Sequence, residues 1–136
     1  MNLKLNQMEK MNFLGFTLLI AEDDLSNFEY LKSTFRDTGI TILHAVSGDQ
    51  AVKLAEEHPE IGLIFMDGMM PVMTGYDAAR LIRKFRPELP IVILTAYVSQ
   101  DSIRDAVMSG CNDYLAKPIG HEELMVTLKK WSSFKS

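Results

Sequence analysis

Residues 61–75, with the sequence IGLIFMDGMMPVMTG, contain in order the three parts of an α/β unit. Residues 61–66 are apolar apart from one glycine, which is typical of a strand buried on both faces of a parallel sheet. Asp67 follows at the carboxyl end of this strand. Thr74 stands where a helix N-cap is expected, before a stretch with apolar residues at helical spacing. This segment therefore predicts a strand, a loop that begins at a carboxylate, and a helix.

Four further short apolar runs of the same character flank this segment. They are residues 17–21 (TLLIA), 40–45 (ITILHA), 91–95 (IVILT) and 113–116 (DYLA). Amphipathic stretches lie between them, with apolar residues three or four positions apart. The residues predicted to face the core are Leu25, Phe28, Leu31 and Phe35 in the first helix, Ala51, Leu54 and Ala55 in the second, Ala78, Ile82 and Phe85 in the third, Ile103, Ala106 and Val107 in the fourth, and Leu124, Leu128 and Trp131 in the fifth. Five strand-then-helix units predict an α/β fold with a doubly wound, five-stranded parallel sheet and five helices.

The composition is that of an ordinary globular domain. The chain has 136 residues, of which 47% are apolar and 24% charged, and one domain accounts for this length. Fourteen basic against eighteen acidic residues give a net charge of −4, which excludes a generally basic nucleic-acid-binding surface. The single cysteine, Cys111, cannot form an intrachain disulfide or, with three scattered histidines, a structural zinc site. We therefore expect a cytoplasmic protein with no direct contact to nucleic acid.

The N-terminal residues resemble a secretory signal only in outline. An apolar run, residues 11–21, follows a lysine-bearing head, but Asn12 and Gly15 interrupt it and no small-residue cleavage site follows. The run is also shorter than the ~20 apolar residues that a membrane span requires. We expect residues 1–16 to be a leader or linker of unknown role, residues 17–132 to form the domain and residues 133–136 to be a tail, with no membrane association.

Polar side chains stand at the carboxyl ends of four predicted strands. They are Glu22, Asp23 and Asp24 after the first strand, Asp67 after the third, Thr95 at the end of the fourth, and Lys117, before Pro118, after the fifth. Ligands of open α/β sheets bind beyond these strand ends, so the fold is expected to bring these groups together. Crowded carboxylates repel one another, and a divalent cation with oxygen ligands removes the conflict, which favours Mg²⁺. A carboxylate nucleophile beside a metal, a hydroxyl and an ammonium suits phosphoryl transfer, with an aspartyl phosphate as the product.

Each of these residues also has a purely structural explanation. Acids after a strand are common at helix N-termini, where the macrodipole stabilises each by about 0.3–1 kcal/mol. Asp67 alone could cap a turn, and Lys117 alone could be a solvated lysine. Two other functions fit less well: an FMN-binding flavodoxin, because the acids would repel the phosphate, and a dehalogenase-type phosphatase, because Met69 stands where that chemistry requires an acid.

Residues 18–131 resemble the receiver domain of response regulators in bacterial two-component signalling. The resemblance is carried by LLIAEDD, FMDGMMPVMTG, ILTA and DYLAKPI, in this order at successive strand ends. It implies a flavodoxin-like sheet with strand order 2-1-3-4-5. It also implies a set of roles: Asp67 as phosphoacceptor, Glu22, Asp23, Asp67 and the backbone carbonyl of Met69 as Mg²⁺ ligands, Thr95 and Lys117 as contacts of the phosphoryl group, and Thr95 with Tyr114 as the switch.

The resemblance implies signalling rather than enzymatic turnover of a substrate. We expect a phosphorelay receiver that takes a phosphoryl group from a phosphohistidine on a histidine kinase or a histidine phosphotransfer domain. It would catalyse only its own phosphorylation and dephosphorylation. The run EDDLSN is most similar to receivers of hybrid histidine kinases or phosphorelays, so the chain could be part of such a kinase.

The expected output surface comprises the fourth helix, the fifth strand and the fifth helix. A downstream effector or a phosphorylation-dependent dimer partner is expected there. The alternative is a receiver-fold interaction module that acts without phosphorylation. Gly68 is smaller than the residue in many relatives and is expected to loosen its loop, whereas Met69 and Tyr97 are expected to slow hydrolysis of the phosphoryl group.

Overall fold

The computed structural model describes residues 13–132, in which five strands alternate with five helices. The elements are β1 (Thr17–Ala21), α1 (Leu25–Thr34), β2 (Thr41–Ala45), α2 (Gly48–Glu57), β3 (Ile61–Asp67), α3 (Gly75–Phe85), β4 (Ile91–Thr95), α4 (Gln100–Ser109), β5 (Asp113–Ala116) and α5 (His121–Ser132). The predicted succession of elements is confirmed. Most of the predicted leader, residues 1–12, and the predicted tail, residues 133–136, lie outside the described residues.

All five strands are parallel and lie in the order β2-β1-β3-β4-β5, as predicted. Ala21, the last residue of β1, pairs with Ala45 of β2 and Met66 of β3. At the other side of the sheet, Thr95 of β4 pairs with Ala116 of β5. The carboxyl ends of the strands therefore lie along one edge, and the chain reverses its winding direction between β1 and β3, where ligands of this fold bind.

Successive strand residues pack against opposite helical layers. Leu18 and Ile20 of β1 belong to the core beneath α1 and α5, whereas Leu19 and Ala21 belong to the core beneath α2, α3 and α4. Every residue of β1 and β4 is buried. Two-sided burial, worth roughly 0.8 kcal/mol per buried methylene, explains why these strands are uninterrupted apolar runs.

Four helices begin at side-chain caps. The caps are Asp24, Ser47, Thr74 and Ser99, each of which accepts a hydrogen bond from the backbone N–H three residues further on. Such a cap typically contributes about 1 kcal/mol. Three of these caps, Asp24, Thr74 and Ser99, stand in the loops after β1, β3 and β4, so they also fix the loops that carry the candidate site.

Three apolar residues predicted to face the core are exposed instead, so these predictions were wrong. Leu25 and Phe85 are the first residue of α1 and the last of α3, and each lies beyond the part of its helix that the sheet covers. Val107 is 69% exposed because α4 buries only a narrow stripe through Ala106 and Ser109. Periodicity marks a helical face but does not show how far the sheet extends beneath it.

Two aromatic residues of the predicted leader pack against the domain. Phe13 is buried in the core beneath α1 and α5, and its N–H donates to the carbonyl of Thr38. The ring of Phe16 lies against Gly62, where a Cβ atom would approach the ring to 2.6 Å. The packed body of the domain thus includes residues 13–16.

None of the helices within residues 13–132 combines the length and the apolar character required to cross a bilayer.

Candidate functional site

Three carboxylates meet at the carboxyl edge of the sheet. Glu22 and Asp23 directly follow β1, and Asp67 is the last residue of β3, the neighbouring strand. One oxygen of each lies within 4.8 Å of the other two. Glu22 and Asp67 are buried, whereas Asp23 is exposed. Three hard oxygen donors at this spacing suit Mg²⁺, which binds carboxylates and keeps part of its water shell.

Lys117 is the cation of this cluster. Its Nζ lies 3.1 Å from Glu22 Oε1 and 3.3 Å from Asp67 Oδ2. The main-chain N–H of Lys117 donates to the carbonyl of Thr95 at 2.7 Å, so the chain is still paired with β4 where the side chain departs. The Lys117–Pro118 peptide bond is cis. Lys117 thus joins the ends of β1 and β3 from the far side of β4.

The electrostatics favour a positive ligand. Burial raises the pKa of the Glu22 carboxyl, and the charge of Asp67 raises it further, against the opposing effect of Lys117. Burial disfavours the charged form of Lys117, but Asp67 and Glu22 outweigh this and raise its pKa. One ammonium therefore faces three carboxylates, and the remaining negative charge attracts a cation.

Asp67 is held by the backbone of its own loop. Its Oδ1 accepts a hydrogen bond from the N–H of Met69 at 3.1 Å, and its carbonyl lies against Gly75, where a Cβ atom would come within 2.0 Å. The N–H of Gly75 donates to the carbonyl of Gly68 at 2.9 Å. The start of α3 is thereby closed onto Asp67, and only glycine fits at position 75 without a shift of the backbone.

The predicted switch residues lie on neighbouring strands. The buried hydroxyl of Thr95 donates to the carbonyl of Tyr97 at 2.9 Å and accepts from the Tyr97 N–H at 3.2 Å. Tyr114 of β5 pairs with Ile93 of β4 and is 37% exposed. The Thr95 hydroxyl is thus engaged with the β4–α4 loop in this state, and the Tyr114 side chain is in contact with solvent.

The expectation that Gly68 loosens its loop overlooked Tyr76. The phenol of this buried residue occupies the space beside Gly68, where a Cβ atom would lie 2.7 Å from the Tyr76 hydroxyl oxygen. The glycine and the tyrosine are therefore a complementary pair. The signal in the sequence is a glycine directly after one strand and a large aromatic residue near the start of the following helix, which together indicate close packing. A second residue that was overlooked, His44 of β2, contacts the backbone of Glu22.

A cavity of about 500 Å³ lies beside Lys117. Its lining consists of Glu22, Asn27, Tyr30, Leu31, Ala96, Lys117, Pro118 and Ile119. The Tyr30 hydroxyl donates to the carbonyl of Ile119 at 2.6 Å and ties α1 to the loop after β5. The cavity is therefore an apolar recess that adjoins the charged cluster.

Comparison with known proteins gives a consistent family. The family described as "Response regulator receiver domain" matches residues 18–129. The chain is 34% identical over 113 residues to the transcriptional regulatory protein ZraR of Klebsiella oxytoca and 33% identical over 120 residues to the sensor protein GacS of Pseudomonas syringae. These matches cover 83% and 85% of this chain but only 25% and 13% of the relatives, so the chain spans a minor part of their length.

Two solved structures are also similar. The receiver domain of Saccharomyces cerevisiae Ssk1, crystallised with the histidine phosphotransfer protein Ypd1, is 36% identical with a TM-score of 0.81, over 89% of this chain and 91% of the other. The receiver domain of the sensor histidine kinase PA1611 of Pseudomonas aeruginosa, which holds a magnesium ion in its active-site cleft, is 35% identical with a TM-score of 0.81. That match covers 88% of this chain and 98% of the other.

Proposed function

This chain belongs to the response regulator receiver family of two-component signalling, and from that membership we propose that it accepts a phosphoryl group from a phosphohistidine onto Asp67. The observation that carries the proposal is the meeting of Asp67, Lys117 and the acids after β1 in one site. As a phosphoacceptor the chain catalyses only its own phosphorylation and dephosphorylation.

The proposed transfer uses a small set of groups. A carboxylate oxygen of Asp67 attacks phosphorus, the P–N bond to the donor imidazole breaks, and the released imidazole nitrogen takes a proton from solvent. The Lys117 ammonium, already near both buried carboxylates, contacts a phosphoryl oxygen as negative charge develops there. Glu22, Asp23, Asp67 and the Met69 carbonyl would hold Mg²⁺, which would supply further positive charge when bound.

The proposed switch begins at Thr95. Its hydroxyl has one proton, which the Tyr97 carbonyl accepts in this structure. Donation to a phosphoryl oxygen therefore requires that this bond break, which releases the β4–α4 loop. Tyr114 then moves into the space behind Thr95. The proposed consequence is a changed α4–β5–α5 face.

The α4–β5–α5 face suits a protein partner. Its exposed apolar side chains include Val107, Met108, Tyr114 and Val126. A downstream effector or a second copy of the phosphorylated chain is the proposed occupant, because solvent-exposed apolar groups clustered on one face mark interaction surfaces. No direct contact with nucleic acid or with a membrane is proposed.

The proposed phosphoryl donor is a protein. The Ssk1 receiver was crystallised with a histidine phosphotransfer protein, and this chain is similar to it over most of its length. Leu25, Val72 and Tyr97, all largely exposed, follow β1, β3 and β4 and so lie at the same edge of the sheet as Asp67. A histidine phosphotransfer domain or a histidine kinase is the proposed donor, in the cytoplasm. Similarity to the kinases GacS and PA1611 supports a place within a hybrid kinase.

The test is a phosphorylation assay on the unaltered chain. Incubation with acetyl phosphate and Mg²⁺ should add one phosphoryl mass, which Asp67→Asn abolishes and removal of Mg²⁺ prevents. Asp101→Asn is a matched control, because Asp101 is exposed and pairs with Arg104 on α4. If the unaltered chain gained no phosphoryl mass, the alternative of an interaction module that acts without phosphorylation would replace this proposal.

A further inference from the structure

His44 of β2 contacts the peptide that joins two of the candidate metal ligands. Its Nε2 atom lies 2.8 Å from the carbonyl oxygen of Glu22, and that carbonyl belongs to the peptide between Glu22 and Asp23. A carbonyl only accepts, so Nε2 carries the proton and donates. The N–H of Glu22 donates to the carbonyl of Ala45 on the same strand. Both polar groups of the Glu22 backbone are therefore held by β2.

The imidazole takes the place of a missing backbone donor. Beyond Ala45 the chain leaves the sheet, because β2 ends there and Ser47, whose N–H would be the next donor of a parallel ladder, is the N-cap of α2. The backbone of β2 therefore cannot continue the ladder to the Glu22 carbonyl. A side-chain donor restores the bond that a longer strand would have made.

A ring stack fixes the direction of that donor. The imidazole of His44 lies parallel to the ring of Phe28, with a centroid separation of 3.6 Å and an interplanar angle of 7°. Phe28 is buried on α1, the helix that begins just after the acids. His44 thus connects β2, the β1–α1 loop and α1. A residue with a ring but no donor, or with a donor but no ring, would keep only half of this arrangement.

We propose that His44 is a positioning residue that holds the Glu22–Asp23 peptide so that both carboxylates point at one cation. The inference rests on the proposed function for its consequence, Mg²⁺-dependent phosphorylation. The part of the inference that does not depend on that function is that His44 fixes the Glu22–Asp23 peptide. Residues that orient metal ligands through one hydrogen bond commonly change metal affinity by roughly 10–100-fold when they are removed.

Two substitutions separate the donor from the ring. His44→Phe keeps a ring against Phe28 and removes the Nε2 proton, whereas His44→Gln keeps an amide N–H at similar reach and removes the ring. His58→Phe is the matched control, because His58 lies after α2 and pairs with Glu60. The measurements are the Mg²⁺ dissociation constant by calorimetry without phosphodonor, the melting temperature, and amide hydrogen exchange at Asp23 and Asp24 in Mg²⁺-free protein.

We expect His44→Phe to weaken Mg²⁺ binding roughly tenfold and to speed exchange at both amides. His44→Gln should show smaller changes in both quantities than His44→Phe, and His58→Phe should change neither. Unchanged Mg²⁺ affinity in His44→Phe, or equal losses in His44→Phe and His44→Gln, would overturn the inference in favour of simple packing.

If the unaltered chain neither bound Mg²⁺ nor accepted a phosphoryl group, the proposed function would fail. Exchange faster in His44→Phe than in His44→Gln would then still support the positioning role, and equal exchange would overturn it.

Discussion

Lys117 and Glu22 stand 95 positions apart in the chain, yet the ammonium of one lies 3.1 Å from the carboxylate of the other. The same ammonium lies 3.3 Å from Asp67. One cation therefore serves two buried carboxylates. Any change in one of the three residues alters the electrostatic environment of the other two, and this coupling determines the first two predictions.

Glu22→Gln should stabilise the fold and impair Mg²⁺ binding. Burial raises the pKa of Glu22, so the folded state disfavours its charged form. The stability that Glu22 contributes is therefore present in acid and lost as the pH rises through the raised pKa. We expect a melting temperature roughly 2–5 °C higher at neutral pH, a smaller gain in acid, and weaker Mg²⁺ binding by calorimetry. Glu56→Gln, on the exposed side of α2, is the control. A lower melting temperature at neutral pH would mean that the ion pair with Lys117 outweighs the cost of burial.

Lys117→Met should destabilise the fold. Glu22 and Asp67 would remain buried without a cation, which we expect to cost about 1–3 kcal/mol at neutral pH by chemical denaturation. The cost should shrink in acid, where the carboxyls are protonated. The double variant with Glu22→Gln should lose less than Lys117→Met alone. Equal losses would show that the unpaired charge of Glu22 is not the source of the loss.

Thr95→Ala should loosen the β4–α4 loop. The variant loses both hydrogen bonds between the Thr95 hydroxyl and the Tyr97 backbone. We expect a loss of about 1 kcal/mol and faster hydrogen exchange at the Tyr97 amide, and Thr95→Ser should restore both. Thr95→Ala should still be phosphorylated by acetyl phosphate. In the unaltered chain, the proposed movement of Tyr114 should change its NMR signals on phosphorylation, and this change should disappear in Thr95→Ala. A retained change at Tyr114 would contradict the proposed switch.

Gly68→Ala should destabilise the fold, although it adds only one methyl group. The added methyl would lie 2.7 Å from the Tyr76 hydroxyl oxygen, so the ring must shift. We expect a loss of about 1–3 kcal/mol by chemical denaturation, with a smaller loss when Tyr76→Leu is present in the same chain. If the two losses simply added, the glycine and the ring would not be complementary.

The aspartyl phosphate proposed at Asp67 should hydrolyse slowly. Met69 and Tyr97 lie in the two loops beside Asp67, each two positions beyond Asp67 or Thr95, and both are largely exposed here. In the phosphorylated state we expect them to limit the approach of water to the phosphoryl group. The isolated aspartyl phosphate should therefore have a half-life of minutes or longer by mass spectrometry, and Tyr97→Ala should shorten it. A half-life of seconds in the unaltered chain would contradict this prediction.

The sequence predicts the sheet and the principal site residues because their signals are local. Uninterrupted apolar runs mark strands buried on both faces. The residue after each run lies at the carboxyl edge of the sheet, independently of how the helices pack. Helix faces are less certain, because Leu25 lies at the exposed end of α1 and Val107 lies beside the narrow stripe that α4 buries. The sequence does not predict the role of His44, because its partner is a main-chain carbonyl and the pairing depends on the register of β2 against β1. Tyr76 was overlooked because its partner, Gly68, has no side chain to suggest a contact.

The distance in sequence between Glu22 and Lys117 has a consequence for biosynthesis. A ribosome releases the candidate metal-site acids first, then the proposed acceptor Asp67, and the lysine only after β5 has been made. Because Lys117 follows β5, its ammonium cannot reach Glu22 and Asp67 until nearly all of the domain has left the exit tunnel. A nascent or truncated chain that ends before Lys117 carries the acceptor residue but lacks the assembled centre. Under the proposed function, such incomplete chains are therefore expected not to signal.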